Sequence, residues 1–292
     1  MTLAAAIAEA YSVGEIRSCE LIARITNDLV RIEVPSGALW LKLASRSGRT
    51  VEELEREADT VACLARSNIS VAEPVRRADG RYAGPVTDCP AIMFHEARGV
   101  ELASASREQA RALGVAIARV HLASCTRPDL WTIDAKSLFH EPLGWLRGHD
   151  VPEEIANIGT EMVAKVWSDT LPIGLCHGDL HLENVRFDGD VPTLFDFEVC
   201  GIGPLVYDLA CYWRKRRASR DEWEAFLGGY ESIRPLAPGE LRAIPALATL
   251  RAIWTMALAA TPKATWGRDW LDAEYFDAHL EMIRELRAGG FE

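Results

Sequence analysis

Apolar and polar residues alternate with period two in the first hundred residues and with a period near 3.6 beyond them. Val30, Ile32 and Val34 alternate with Leu29, Arg31 and Glu33, which predicts a strand. Pro35-Ser36-Gly37 supplies a turn, and Leu39, Leu41 and Leu43 then alternate with Trp40, Lys42 and Ala44 as a second strand. Thr50 and Glu53 form a capping-box pattern that starts a helix running to about Ser67. Val71 to Ala78, Arg81 to Val86 and Ala91 to Phe94 are further strand candidates. After Gly99 the pattern turns helical. Ser106 and Gln109 repeat the capping box before a helix to about Ser124, with Leu113, Ile117 and Val120 on its apolar face. Helices are also expected near 153–168, 205–217, 220–232, 238–260 and 272–288. Val185 to Asp188 and Thr193 to Phe197 read as a hairpin around Gly189. The boundary between a sheet-rich lobe and a helix-rich lobe falls near residue 98.

Composition narrows the class. The chain has 292 residues, 49% of them hydrophobic and 26% charged, as in a globular protein. A net charge of −11 argues against nucleic-acid binding and against anionic membranes. The apolar start Met1 to Ala10 is short, lacks basic residues and contains Glu9, so it does not read as a signal peptide. No run approaches ~18 uninterrupted apolar residues. A cytoplasmic chain without a membrane partner is the expectation. The seven cysteines are odd in number and include no CxxC pair. Neither a disulfide framework nor a zinc site is expected from them.

The candidate chemistry centres on Cys176-His177-Gly178-Asp179-Leu180-His181-Leu182-Glu183-Asn184, followed twelve residues after Asn184 by Asp196-Phe197-Glu198. Phosphoryl transfer from a nucleotide needs a carboxylate at the attacking hydroxyl, oxygen ligands for Mg²⁺ and a cation at the phosphates. A loop Asp, an Asn five residues on, and a hairpin returning the chain to an Asp-Phe pair supply the first two. A second constellation lies upstream. Lys42 sits on a predicted strand, and among the acids of the 52–59 helix only Glu57 falls within the stripe of Leu54, Val61 and Leu64. At ~100° per residue Glu57 lies about 60° behind Leu54. A carboxylate on a buried face needs a partner, and Lys42 is the natural candidate. A strand Lys held by a helix Glu is the device that kinases set against nucleotide phosphates.

Together these residues resemble the aminoglycoside phosphotransferase superfamily, which includes choline kinases, homoserine kinases and bacterial stress kinases. The anchors are Lys42, Glu57, His177-Gly178-Asp179, Asn184, Asp196-Phe197-Glu198 and Tyr207-Asp208-Leu209-Ala210. The resemblance implies an α+β, two-lobed, protein-kinase-like fold. Residues 1–98 would be a nucleotide-binding lobe with a small antiparallel sheet and one main helix. Residues 99–292 would be a larger, mostly helical catalytic and substrate-binding lobe. The implied activity is ATP- and Mg²⁺-dependent transfer to a hydroxyl of a small molecule, with GTP left open. Asp179 would be the catalytic base, and Asn184 and Asp196 the Mg²⁺ ligands. Asp208, with His177, would support the loop. The hinge from Ala91 to Glu96, including Met93, Phe94 and His95, would read adenine. His181, two residues past the base, is a candidate for the acceptor pocket.

Two departures from the pattern stand out. No G-x-G-x-x-G precedes Lys42; the expected phosphate loop reads Ile25-Thr26-Asn27-Asp28, where Asn27 can close a turn. Glu198 replaces the Gly of Asp-Phe-Gly and could add to metal binding. Only nine residues, Val199 to Tyr207, separate Glu198 from Asp208, and no Ala-Pro-Glu follows. Gly201, Gly203 and Pro204 read as a tight turn into a helix rather than a peptide platform. A homoserine-kinase-like metabolite kinase is therefore expected. The alternatives are an antibiotic phosphotransferase conferring resistance, a protein Ser/Thr kinase of the stress type, and a pseudokinase scaffold. Trp213, Trp223, Trp254, Trp266 and Trp270 are read as core more than as a cationic cage. Arg214, Lys215, Arg216, Arg217 and Arg220 are read as a solvated helix end.

Overall fold

The computed structural model describes residues 2–24, 27–45, 47–127, 129–168, 170–216, 219–261 and 270–289. Ile25 and Thr26 of the expected phosphate loop lie outside these residues, as do Trp266 and Arg217. The chain divides into two compact units. One holds the residues up to Gly99 together with Thr193–Glu198; the other holds Val100–Pro192 and the described residues from Val199 onward.

The sheet unit opens with helix α1 (Leu3–Ala10), capped by the Thr2 side chain on the Ala5 N–H. Strands β1 (Ser18–Arg24), β2 (Asp28–Val34) and β3 (Gly37–Leu43) follow, then helix α2 (Val51–Arg66), β4 (Ala83–Val86) and β5 (Cys89–His95). The strands form one antiparallel sheet in the order β1-β2-β3-β5-β4. Period-two alternation sorts its side chains into two cores. Leu39, Leu41 and Leu43 of β3, with Met93 of β5, pack with Ile7 and Tyr11 from the α1 end. Ile92, from the opposite face of β5, packs with Leu54, Ala58 and Ala62 of α2. Lys42 is thereby turned away from the α1 core and toward α2. Complete burial of side chains such as Leu41 and Ile32 contributes about 1.5–3 kcal/mol each.

Both reciprocal bonds of the Thr50–Glu53 capping box form, which fixes where α2 begins. The expected strand at 71–78 does not form. Val71 and Pro74 make single bridges to Leu194 and Phe94, and Pro74 has no N–H to carry a ladder further. α1 and β1 were not anticipated; β1 is an edge strand, and its Leu21 and Ile22 are exposed, so it lacks the in-out pattern that marks a strand in sequence.

The helical unit begins with α3 (Arg107–Leu122), whose Ser106–Gln109 capping box is also complete. A two-residue strand β6 (Trp131–Thr132) precedes a wide helical turn at Lys136–His140 that runs into α4 (Glu141–Trp145), then α5 (Glu153–Val166) and β7 (Ile173–Cys176). Strands β8 (Val185–Asp188) and β9 (Val191–Leu194) make the hairpin around Gly189. The second strand ends at Leu194 rather than at Phe197, because Asp196 adopts a left-handed φ of 61° that no strand accommodates.

The stretch after Glu198 corrects a second expectation. Gly201–Pro204 is strand β10, not a tight turn; it pairs with β7 on one side and β6 on the other. Glycine is required by close approach, since a Cβ at Gly201 would lie 2.4 Å from the Trp131 carbonyl oxygen and one at Gly203 2.4 Å from Ile133 Cβ. Helices α6 (Val206–Arg216), α7 (Arg220–Glu231), α8 (Pro238–Leu258) and α9 (Ala273–Ala288) complete the unit. α8 is its central helix and packs against α5, α6 and α9. By length and composition alone α8 could cross a membrane, but its residues are mostly buried inside the unit. Cys19, Cys89, Cys176, Cys200 and Cys211 are free thiols.

Candidate active site

In the sheet unit, Lys42 of β3 is the centre of a charge cluster. It is 8% exposed, and its Nζ lies 2.8 Å from Asp196 Oδ1, 3.3 Å from Glu198 Oε2 and 3.5 Å from Glu57 Oε1. Glu57, on the second turn of α2, is 2% exposed and divides its two oxygens. Oε2 accepts from Arg49 Nη1 at 2.6 Å, a tighter bond than the one Lys42 makes to Oε1. Arg49 also donates from Nη2 to the Glu53 carbonyl at 3.2 Å, so it clamps the first turns of α2. Burial alone would lower the pKa of Lys42, but Asp196, Glu57 and Glu198 outweigh it and hold the ammonium well above its ordinary value. The left-handed backbone at Asp196 is tolerated by aspartate more readily than by most residues, and backbone outliers of this kind cluster at functional sites.

Asn27 ties the remaining acid into this cluster. Its Nδ2 donates to Glu198 Oε2 at 2.9 Å, and its Oδ1 accepts from Ser47 Oγ at 3.0 Å. Met93, Phe94 and His95 form the end of β5. The Met93 carbonyl accepts from Val75 N–H, His95 N–H donates to the Glu73 carbonyl (both 2.8 Å), and Glu96 N–H donates to the Ala38 carbonyl at 3.2 Å. Several backbone groups of the expected hinge are thus already bonded within the unit.

In the helical unit, the loop from His177 to Asn184 is held from beneath by Asp208 of α6. This side chain is fully buried. Asp208 Oδ2 accepts from His177 N–H at 2.7 Å and lies 3.0 Å from His121 Nε2; Oδ1 accepts from Gly178 N–H at 2.8 Å. His121 Nδ1 in turn meets the Tyr230 hydroxyl at 2.7 Å. Burial works to raise the Asp208 pKa, but the His121 bond and the charges and backbone donors around it prevail and lower it. Gly178 has φ of +88°, and a Cβ there would lie 2.0 Å from the Val199 carbonyl oxygen, so only glycine lets the loop pass. His121, Cys176 and Asp208 are close enough to group around a metal ion. Both nitrogens of His121 and both oxygens of Asp208 are engaged within the protein, and burial keeps the Cys176 thiol protonated, so the group acts as a brace.

Asp179 stands at the tip of that loop. Its Oδ1 accepts from Arg251 Nη2 at 2.7 Å, and its Oδ2 lies 3.5 Å from His181 Nε2. Asn184 Nδ2 donates to the Asp179 carbonyl at 3.0 Å and lies 3.2 Å from His181 Nε2; neither bond uses Asn184 Oδ1. Burial would raise the Asp179 pKa, but Arg251 foremost, with His181 and His177, holds it well below the carboxylate range.

Lys42, Glu57, Asn27, Met93, Phe94, His95, Asp196 and Glu198 therefore belong to the sheet unit, and His177, Asp179, His181, Asn184 and Asp208 to the helical unit. Three residues went unread in the sequence. Arg251 had a signal, as the one charge in the apolar run Ala246–Met256. Arg49 and His121 had none, because their partners are fixed by helix placement and not by local pattern.

Residues 18–244 match the model of the phosphotransferase enzyme family. A homoserine kinase of Methylorubrum populi is 29% identical over 83% of this chain and 80% of its own length. An uncharacterized protein of Deinococcus radiodurans is 30% identical over 97% of this chain and 88% of its own length. Among solved structures, an amicoumacin kinase in complex with AMP-PNP and Ca²⁺ superposes with a TM-score of 0.76 at 19% identity, covering 96% of this chain and 91% of that one. A microcompartment-associated aminopropanol kinase gives 0.74 at 22% identity, covering 98% and 94%. The fold is protein-kinase-like.

Proposed function

Because the chain belongs to the phosphotransferase enzyme family, we propose that it transfers the γ-phosphoryl group of Mg²⁺-bound ATP to a hydroxyl of a small metabolite, as a homoserine-kinase-like enzyme. The observation that carries this reading is the catalytic loop, in which Asp208 pins the backbone of His177 and Gly178 so that Asp179 and Asn184 are held together. Such fixed positioning is most of what phosphoryl transfer asks of a protein.

In this reading Lys42 neutralises nucleotide phosphate, with Glu57 and Arg49 fixing its strand against α2. Asn184 Oδ1 and the Asp196 carboxylate are hard oxygen donors of the kind Mg²⁺ takes. When bound, the ion would neutralise the charge that develops on phosphate in transfer. Glu198 serves as a partner of Lys42, and Asn27 holds Glu198. The bonds already made by Met93, His95 and Glu96 move adenine recognition toward the His95 carbonyl and the backbone after Glu96. Arg251 occupies Asp179 Oδ1, so Oδ2 takes the acceptor hydroxyl. A carboxylate this acidic is a weak base in the ground state. Asp179 orients the hydroxyl and accepts its proton only as the new P–O bond forms.

The curated relatives support a metabolite acceptor over an antibiotic, since the homoserine kinases align over most of the chain. A peptide acceptor is disfavoured because β10 is pinned between β6 and β7, where a protein kinase carries its activation segment. The test is a phosphorylation screen with Mg-ATP over hydroxy amino acids, amino alcohols, sugars, aminoglycosides and protein. Phosphoester formed on a small metabolite is expected; transfer confined to aminoglycosides or to protein, or to nothing, overturns the reading.

A further inference from the structure

Among the described residues of the helical unit, charge around Asp179 does not balance. Arg251 is 3% exposed, with one Nη on Asp179, the other 3.4 Å from the Tyr207 hydroxyl, and its guanidinium 4.3 Å from the centre of the Trp254 ring. Its Nε is buried without a hydrogen-bond partner among the described residues. A second guanidinium sits on α6. Tyr207, Cys211 and Arg214 are spaced i, i+4, i+7 and share one helix face.

Three contacts place that side of α6 along the catalytic loop. The Tyr207 hydroxyl meets Arg251, Cys211 Sγ lies 3.7 Å from the Gly178 carbonyl, and Lys215 Nζ lies 3.8 Å from Glu183 Oε2. Arg214 follows Cys211 on that face by one turn. It is half-buried, and its Nε, like that of Arg251, has no hydrogen-bond partner among the described residues. Burial and the nearby charge of Arg251 lower its pKa, as expected when two cations face one another. The Cys211 thiol is pushed up to about 12 and Tyr207 well above its ordinary value, so both stay neutral. Lys215 and Glu183 cancel. Among the described residues, two guanidiniums then accompany the carboxylate of Asp179. Guanidinium donors left unpaired in a buried site are costly unless an anion arrives to meet them.

We propose that the acceptor is an anionic hydroxy compound, a hydroxy acid or hydroxy amino acid, whose carboxylate is taken by Arg214 and the Nε edge of Arg251 beside Asp179. This rests on the phosphotransferase reading and adds the substrate class and the residues that select it. Arg251 spans both ends of the acceptor, bonding Asp179 where the hydroxyl docks and offering Nε to the carboxylate, so the acceptor is short. A polycationic acceptor would meet like charge. The competing anion is the phosphoryl group in transfer, in which case Arg214 would serve every acceptor equally.

Matched acceptors that differ only in the carboxylate separate these cases: L-threonine against 1-amino-2-propanol, and L-homoserine against 3-amino-1-propanol, each with Mg-ATP. The wild type is expected to favour the carboxylate-bearing member at least tenfold in kcat/KM in a pair that it uses. Arg214→Gln should erase at least tenfold of that preference through KM, and Arg214→Lys should retain part of it because the charge remains without the fork. An equal or reversed preference in the wild type overturns the proposal, as does an equal loss for both members in Arg214→Gln. If no acceptor is phosphorylated, the proposed function fails separately. Calorimetric titration of the two amino acids without nucleotide then judges the site: binding that Arg214→Gln weakens tenfold sustains it, and binding that is absent or insensitive to Arg214 overturns it.

Discussion

Lys42 in the sheet unit and Asp179 in the helical unit are both surrounded by opposite charge, yet the two surroundings err in opposite directions. Among the described residues, Lys42 and Arg49 face Glu57, Asp196 and Glu198. Among the described residues, Arg251 and Arg214 accompany Asp179, two cations against one carboxylate. Buried charge is expensive, so a residual imbalance is kept only where something completes it. In the proposed function a divalent cation completes the first cluster, and in the further inference an anionic acceptor completes the second. The sign of the imbalance is thus more informative than the count of charges in either place, and the net charge of −11 for the whole chain reports on neither.

The comparison breaks most severely at Asp208, which holds the helical unit's cluster without belonging to it. Asp208→Ala strands the His177 and Gly178 N–H groups and His121. Removing one partner of a buried, bonded set costs about 3–5 kcal/mol. Urea denaturation should show that loss; wild-type stability would strip Asp208 of its bracing role. The sheet cluster is probed next by Asp196→Ala. Nucleotide affinity measured with Mg²⁺ should fall at least tenfold, about 1.4 kcal/mol, while affinity without metal changes little. Unchanged affinity in Mg²⁺ removes Asp196 from the metal site.

The smallest effect is in pH. Asp179 is more acidic in the folded chain than an ordinary carboxylate, through Arg251 and its histidine neighbours outweighing burial. The stability it contributes is therefore fully present above the unfolded value, near ~3.9, and is lost as pH falls through the folded one. The gap in Tm between wild type and Asp179→Asn should be flat from about pH 5 to 8 and close only below about pH 4. A gap that shrinks between pH 7 and 5 contradicts the assignment.

Much of this was legible in sequence where a local rule applies. The two capping boxes set the starts of α2 and α3, and period-two alternation marked β2 and β3. The loop 177–184 was visible because its chemistry is compressed into eight residues. What was not legible depends on distance along the chain. Arg49 takes the tighter bond to Glu57 because α2 begins two residues later, so the Arg side chain reaches back over its first turns. Gly201 and Gly203 read as a turn, because nothing local says that Trp131 and Ile133 lie against them. Arg214 was read as part of a solvated helix end, although its neighbour Cys211 faces the catalytic loop.

The central claim is that Asp179 serves the transfer step and not the nucleotide. It is tested most directly by measuring both quantities on one isosteric variant, Asp179→Asn, with Mg-ATP and the best acceptor from the screen. The account predicts nucleotide affinity within about twofold of wild type and turnover lower by about 10³-fold. Turnover retained in that variant, or nucleotide binding lost along with it, would contradict the account.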